Sequence, residues 1–191
     1  MIKSHALIII SFLFSLIVNS QTGFTFSEKN KHSQQISFRL INNLIVIPLE
    51  INGKQLSFIL DTGVNKTILF NLSEKDSIEL LNTTRLRLRG LGSGDGVDAI
   101  ISKKNIFKVK NLISKNETVY VILKDYFDLS SKMGTTIHGI IGYNLLKNVI
   151  VKINYKTKKI NFYNPKTYSY KKCKKCETFP FQFYRKKPFI D

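Results

Sequence analysis

The chain has 191 residues, and its 30 Lys and Arg against 13 Asp and Glu give a formal net charge of +17 at pH 7. This length allows one domain with a substantial core, and the basic excess favours association with anionic surfaces or polymers. The sequence has neither paired zinc ligands nor an RNA-binding signature, which argues against a nucleic-acid-binding protein. We therefore expect most lysines to be solubilising surface residues, with one concentration in the C-terminal tail, and any contact with anionic surfaces to be weak.

The first 20 residues have the pattern of an export signal. Lys3 supplies a short positive start, residues 6–18 are apolar apart from two serines, and a cleavage site follows at residues 18–20. The apolar core is shorter than the ~20 residues that a membrane span needs. We expect a periplasmic or extracellular mature protein beginning at Gln21. Residues 21–35 are polar without a hydrophobic period, which predicts a mobile arm.

An apolar strand then leads to a single acidic residue. Residues 44–51 are apolar and end at Asn52-Gly53, the best two-residue hairpin signal in the chain, and residues 54–60 return as the second strand. Asp61 follows at once and precedes Thr62-Gly63. An isolated ionised carboxylate is costly to bury, so a carboxylate at the mouth of a buried strand indicates a partner group or a role in proton transfer.

The next elements are a helix and a hairpin. Residues 73–80 open with a capping serine and acidic side chains, which predicts about two turns of helix. Residues 84–89 place Arg and Leu in alternation and predict a strand, and residues 97–102 predict its return strand.

Three interpretations apply to the glycine-rich segment Gly90–Gly96 between these strands. A phosphate-binding loop would need Lys followed by Ser or Thr and then a helix, and neither is present. A calcium site would use Asp95 and Asp98, but the 12-residue loop with a terminal Glu is absent. The third interpretation is a flexible hairpin tip, which the alternation on both sides favours.

A second informative stretch lies near the end of the domain. Gly139 and Gly142 bracket two apolar β-branched residues, Ile140 and Ile141, which predicts a short buried strand that passes close to another backbone. We take the neighbouring His138 as structural, because no Ser or Cys stands in a nucleophile motif. The remaining elements are predicted as strands at 105–109 and 118–123, an irregular or briefly helical segment at 124–136, a helical turn at 143–148, and a hairpin formed by 149–154 and 158–163.

Asp61-Thr62-Gly63 after an apolar run, with strand character resuming at Thr67–Leu69, resembles the catalytic loop of the retropepsin and pepsin clan of aspartic proteases. Gly139-Ile140-Ile141-Gly142 and the helical turn after it resemble the element that threads beside that loop in this clan. The resemblance implies a mainly β fold with one or two short helices, a closed acid-protease barrel lobe over residues 36–165.

The resemblance also implies a function. Asp61, with Thr62 and Gly63, would form the catalytic loop of an aspartic endopeptidase that activates a water molecule, so we expect no cofactor and no metal. The glycine-rich hairpin would be the flap that closes over a bound peptide or protein substrate. The flap residues would be Gly90, Leu91, Gly92, Ser93 and Gly94.

Aspartic proteases use two facing aspartates that share one proton, and this sequence has only Asp61 in such a motif. The second aspartate would come from a symmetry mate in a homodimer or from a second lobe. Val64 departs from the clan, because many members have Ser or Ala there, and a Ser can bond to the outer carboxylate oxygen whereas Val cannot. Two other hypotheses stay open, namely a catalytically incomplete peptide-binding lobe and a basic, surface-associating exported protein.

The tail, residues 166–191, is rich in Lys and Tyr and is either a basic tail or the start of a second lobe. Cys173 and Cys176 predict a local disulfide in an oxidising compartment. A zinc site would need two more ligands nearby, and a redox pair would open a thioredoxin-like helix. Two unpaired thiols are the remaining alternative. Residues 178–183 alternate, and a further strand is predicted to begin at 187.

Overall fold

The computed structural model describes residues 23–27, 32–72, 77–88, 96–124, 127–171 and 173–190. The expected export signal and the expected flap tip at 90–94 lie outside these ranges. Within them, no helix has both the length and the apolar character that crossing a membrane requires. The elements are β1 Thr25–Phe26, β2 Ser33–Ser37, β3 Arg39–Ile41, β4 Leu44–Ile51, β5 Lys54–Leu60, β6 Thr67–Leu69, β7 Thr83–Leu88, β8 Val97–Val109, β9 Leu112–Ile122, α1 Leu129–Met133, β10 Gly139–Ile141, α2 Tyr143–Leu146, β11 Ile150–Asn154, β12 Lys159–Tyr163, β13 Gln182–Tyr184 and β14 Lys187–Phe189.

Six strands close into a barrel in the order β9, β6, β10, β5, β4, β8, and β8 pairs with β9 to complete the ring. The short strand β10 lies between two others. It runs parallel to β5, with Gly139 opposite Phe58, and antiparallel to β6, with Gly139 opposite Leu69. The predicted mainly β closed barrel is confirmed, with two short helices in the described ranges.

The hairpin of β4 and β5 delivers the chain to Asp61. The two strands pair from Val46–Ile59 to Ile51–Lys54. The turn residues, Asn52 and Gly53, have φ values of 48° and 89°, which is the left-handed conformation that a two-residue hairpin requires. Strand β5 is buried at Phe58 and Ile59, so the strand end is fixed by the core.

A further hairpin is formed by β7 and β8, which pair antiparallel from Thr83–Ser102 to Leu88–Val97. Strand β8 is longer than predicted, because the strands expected at 97–102 and 105–109 are one strand with a bulge after Ser102. The helix expected at 73–80 is not supported in its described part, since residues 77–80 have no regular structure.

The N-terminal stretch differs from the mobile arm expected at 21–35. Phe24 is buried in the main core, Thr25–Phe26 pairs with β9, and Ser33–Ser37 pairs with β12. Backbone pairing at sheet edges needs no hydrophobic period, which is why the polar sequence did not reveal these strands. The hairpin expected from 149–154 and 158–163 forms as β11 and β12, and β2 completes a three-stranded sheet.

The tail has its own small hairpin, β13 paired with β14. Cys173 and Cys176 form the predicted disulfide. Several large apolar side chains in the tail are exposed, namely Phe179, Phe181, Phe183, Tyr184, Phe189 and Ile190. A two-stranded hairpin is marginally stable alone, so contacts with the barrel matter for where it lies.

Candidate active site

The loop after β5 fixes Asp61 through backbone contacts on both sides. The Asp61 N–H donates to the Ile141 carbonyl (2.9 Å), and the Val64 N–H donates to the Asp61 carbonyl (3.2 Å). The Tyr143 N–H donates to the Val64 carbonyl (3.0 Å). The loop is therefore held between the end of β10 and the start of α2, as the predicted threading element requires.

Gly142 allows this close approach. A Cβ atom at Gly142 would overlap the carbonyl oxygen of Asp61 and lie 2.6 Å from that of Val64. At Gly139 a Cβ would overlap the Ile68 carbonyl oxygen and the Phe58 ring. Both predicted glycines are therefore required by space, because Gly142 lies against the Asp61 loop and Gly139 lies between β5 and β6.

The Asp61 carboxylate is partly organised by its own loop. Its Oδ1 accepts a hydrogen bond from the Gly63 N–H (2.8 Å), while Oδ2 has no hydrogen-bond partner among the described residues. The sequence suggested a carboxylate at the mouth of a buried strand, and in the single chain Asp61, Thr62 and Gly63 are all exposed. The last buried residue of β5 is Ile59, and Leu60 is half-buried. The loop therefore presents the Asp61 carboxylate to solvent or to another molecule.

Asp61 lies in a groove of about 790 Å³ that is largely apolar. Thr62 and Tyr143 line it beside Asp61. The other groups of lining residues come from the β3–β4 hairpin, from β11 and from the tail, and include Leu44, Ile45, Ile150, Ile153, Tyr155, Phe181, Phe183 and Pro188. Two smaller cavities, of about 460 and 320 Å³, contain none of the predicted site residues.

The tail hairpin contacts the Asp61 loop and α2, and the sequence did not predict these contacts. The Phe183 ring packs edge-on against Tyr143, with centroids 5.8 Å apart. The Asn65 side-chain amide donates to the Arg185 carbonyl (3.4 Å). The alternation of Phe179, Phe181 and Phe183 was visible in the sequence, but the packing of this strand on the barrel is a non-local contact that no local pattern encodes.

His138 has the structural role that was expected. Its ring Nδ1 accepts a hydrogen bond from the Ser57 N–H (3.1 Å). Its backbone N–H donates to the Ser57 carbonyl (2.8 Å), and its backbone carbonyl accepts from the Phe70 N–H (2.7 Å). The side chain is buried and lies outside the lining of the Asp61 groove. It ties the entry of β10 to β5 and so supports the strand beside the loop.

A buried carboxylate, that of Glu117, is hydrogen-bonded to α2. The sequence did not predict this contact. Glu117 Oε1 accepts a hydrogen bond from Ser114 Oγ (2.5 Å), and Oε2 accepts from the Asn144 amide (3.1 Å). Asn144 belongs to α2. Glu117 is thus a positioning residue for the helix that follows Gly142.

The donor sets for metals are sparse. Across the described ranges, no three His, Cys, Asp or Glu side chains are grouped so that they could hold a metal ion. Thr67, just after the loop, is buried, and its hydroxyl has no hydrogen-bond partner in the described part of the chain.

A family model described as aspartyl protease matches residues 47–145, just over half of the chain. The crystal structure of a retropepsin-like aspartic protease from Rickettsia conorii is similar to this chain, with a TM-score of 0.49 and 16% sequence identity, over 75% of this chain and 97% of that one. No curated protein matches the chain.

Proposed function

Since the chain belongs to the aspartyl protease family, we propose that it is an aspartic endopeptidase in which Asp61 is one half of a catalytic dyad. The observation that carries the proposal is the carboxylate itself. One oxygen is held by the Gly63 N–H, the other has no partner among the described residues, and Asp61 lines the groove. A peptide in this groove would pass directly over Asp61.

The chemistry of the proposal is hydrolysis with water as the nucleophile. Two facing carboxyl groups share one proton, because two like charges ~3 Å apart do not both remain ionised. The ionised carboxylate takes a proton from the water as the water oxygen bonds to the peptide carbonyl carbon. The protonated carboxyl donates to the carbonyl oxygen. The carboxyl that took the proton from water then donates it to the amide nitrogen, and the C–N bond breaks to release the amine. A hydroxyl of the intermediate returns a proton to the other carboxylate as the acid forms, so the pair again shares one proton.

We propose that the second carboxylate is Asp61 of a second copy. A two-fold axis brings identical loops together, and Asp61, Thr62 and Gly63 are all exposed at the loop tip. Each protomer would then supply one carboxylate and one half of the substrate site.

A second lobe is the other source of the second aspartate, and one observation favours it. The hairpin β13–β14 repeats the form of β3–β4, since each has three paired residues on either side of a two-residue turn. The turn residues have matching φ values, 48° and 62° at Asn42 and Asn43 and 48° and 66° at Arg185 and Lys186. This supports the tail as the start of a repeated unit.

The test is hydrolysis of an unfolded protein at mildly acidic pH by the wild type and by Asp61→Asn. Asp98→Asn is the matched control, because Asp98 is an exposed aspartate on β8. We expect the wild type and Asp98→Asn to cleave and Asp61→Asn to be inactive while its circular dichroism is unchanged. Equal cleavage by Asp61→Asn would refute the proposal.

A peptide-binding lobe without catalysis is the second candidate, because the single chain presents one carboxylate of the two that the chemistry needs. It would remain a monomer at micromolar concentration and bind peptide without cutting it. Sedimentation equilibrium separates the cases, since a stable dimer that cleaves peptide contradicts this candidate. The third hypothesis, a surface-associating protein, requires that deletion of residues after Asn164 abolishes retention on an anionic matrix.

We also propose that the protein is exported and that peptides or proteins outside the cytoplasm are its substrates. The pattern of residues 1–20 supports export, and the Cys173–Cys176 disulfide fits an oxidising compartment. N-terminal sequencing of the mature protein is expected to begin at Gln21. A mature protein that begins at Met1 would contradict export by cleavage.

A further inference from the structure

We propose that the Asp61 groove selects peptide segments in which acidic side chains flank apolar ones. This inference rests on the proposed function, because it concerns the substrate of the same site. It follows from the charges around the groove and from the fixed position of the tail hairpin.

The groove itself offers little negative charge. Among the residues that the structure describes, Asp61 is the one acidic residue in its lining and Lys147 the one basic residue. The walls are apolar, and several wall residues keep a large exposed fraction, such as Phe181 at 54% and Phe183 at 58%. Apolar side chains of a peptide would be buried against these walls.

Two lysines lie near the ring of Tyr143, which lines the groove, and an arginine precedes one of them in the turn of the tail hairpin. Lys147, which caps the C-terminus of α2, has its Nζ 5.9 Å from the centroid of the Tyr143 ring, and Lys186 has its Nζ 5.7 Å from the same centroid. Arg185 precedes Lys186 in the hairpin turn and stacks on Tyr184 at 5.1 Å. We call Lys147, Arg185 and Lys186 the Tyr143 cation cluster.

The turn that carries two of these cations is fixed in place. Asn65, four residues after Asp61, donates to the Arg185 carbonyl (3.4 Å). The Phe183–Tyr143 ring contact lies on the same side. The turn that carries Arg185 and Lys186 therefore lies beside the Asp61 loop, and the Lys186 ammonium lies near Tyr143.

Arg185 and Lys186 form no ion pair with any carboxylate in the described ranges, whereas Lys108 pairs with Glu50 at 2.8 Å elsewhere on the barrel. Contacts with aromatic faces leave the full positive charge in place. The whole chain also carries +17. A cleft with one sign of charge and apolar walls favours ligands of the opposite sign.

The experiment measures peptide binding by fluorescence anisotropy, using the full chain with Asp61→Asn so that cleavage does not interfere. Two labelled peptides share an apolar core and differ only in Glu or Gln at the flanking positions. At low salt the Glu peptide is expected to bind about five- to tenfold more tightly, and this advantage is expected to vanish at about 0.5 M salt through screening.

Two double variants locate the effect. Arg185→Gln/Lys186→Gln removes two charges from the cluster. The conformational cost of the left-handed turn stays the same, because Gln has a Cβ atom as Arg and Lys do. Lys103→Gln/Lys159→Gln removes two exposed charges that lie outside the groove lining. The first variant is expected to lose most of the preference for Glu, and the second is expected to keep it.

Equal binding of the two peptides at low salt would overturn the inference, and so would an equal loss of preference in both double variants. These outcomes are distinct from failure of the proposed function. If the wild type cleaves both peptides with equal kcat/KM at low salt, the proposed function is supported and the inference about selection is refuted. If the Glu peptide binds more tightly through Arg185 and Lys186 but neither peptide is cut, the inference stands and the protease activity falls.

Discussion

Replacing Gly142 by alanine is expected to destabilise the barrel by about 3 to 5 kcal/mol. The added Cβ would overlap the Asp61 carbonyl oxygen and lie 2.6 Å from the Val64 carbonyl oxygen. Both obstacles are backbone atoms, which do not rotate away as a side chain does. Overpacking of this kind costs about 1 to 3 kcal/mol.

The rest of the cost comes from hydrogen bonds that hold the loop. Relief of the overlap would move the loop away from β10 and α2 and lengthen the bonds from Asp61 N–H to Ile141 (2.9 Å) and from Tyr143 N–H to Val64 (3.0 Å). Each such bond contributes about 1 kcal/mol. The total is a large part of the about 5 to 15 kcal/mol that keeps a typical domain folded.

Urea denaturation measures this change, with Gly134→Ala as the control. Gly134 also resists substitution, since its φ is 62°, but a Cβ there meets no atom within 4 Å. Its replacement is expected to cost about 1 kcal/mol. With a slope of about 2 kcal/mol/M for urea, the midpoint of Gly142→Ala should fall by about 1.5 to 2.5 M. Equal midpoints for the two variants would refute the reasoning that Gly142 is required by the Asp61 loop.

Three further changes have expected outcomes. Thr67→Val removes a buried hydroxyl that lacks a partner in the described ranges and should raise the free energy of unfolding by about 1 kcal/mol; a lower urea midpoint would contradict this. Glu117→Gln puts an amide where two donors, Ser114 and Asn144, now meet a carboxylate and should cost about 1 to 3 kcal/mol, whereas the exposed control Glu79→Gln should stay within about 0.5 kcal/mol. Reduction of Cys173–Cys176 should leave the midpoint of the barrel unchanged, because both residues are exposed in the tail; a shift would show that the tail stabilises the barrel through this link.

Features encoded by local chemistry were predictable from the sequence. Asn52-Gly53 fixed the first hairpin, because few residues adopt its left-handed turn without strain. The spacing of Gly139 and Gly142 indicated a close backbone approach, and the contacts of Gly142 with the Asp61 loop are of that kind.

Features that depend on non-local contacts were not predictable. Strands β1 and β2 are held by backbone pairing to β9 and β12, which leaves no periodic signal in their side chains. The tail hairpin reaches Asn65 and Tyr143 from 120 and 40 residues away. The exposure of Asp61 depends on the residue at which the buried part of β5 ends. A pattern of apolar residues does not predict the position of that residue to within one residue.

The central claim, that two copies of Asp61 form one catalytic dyad, is tested most directly by mixing. A ninefold excess of Asp61→Asn protein is allowed to exchange subunits with the wild type at a concentration where both are dimeric, and peptide hydrolysis per wild-type chain is measured. Most wild-type chains then face an Asn, so the rate per wild-type chain should fall to about one tenth. A rate that stays at the value of the unmixed wild type would contradict a dyad shared between two chains.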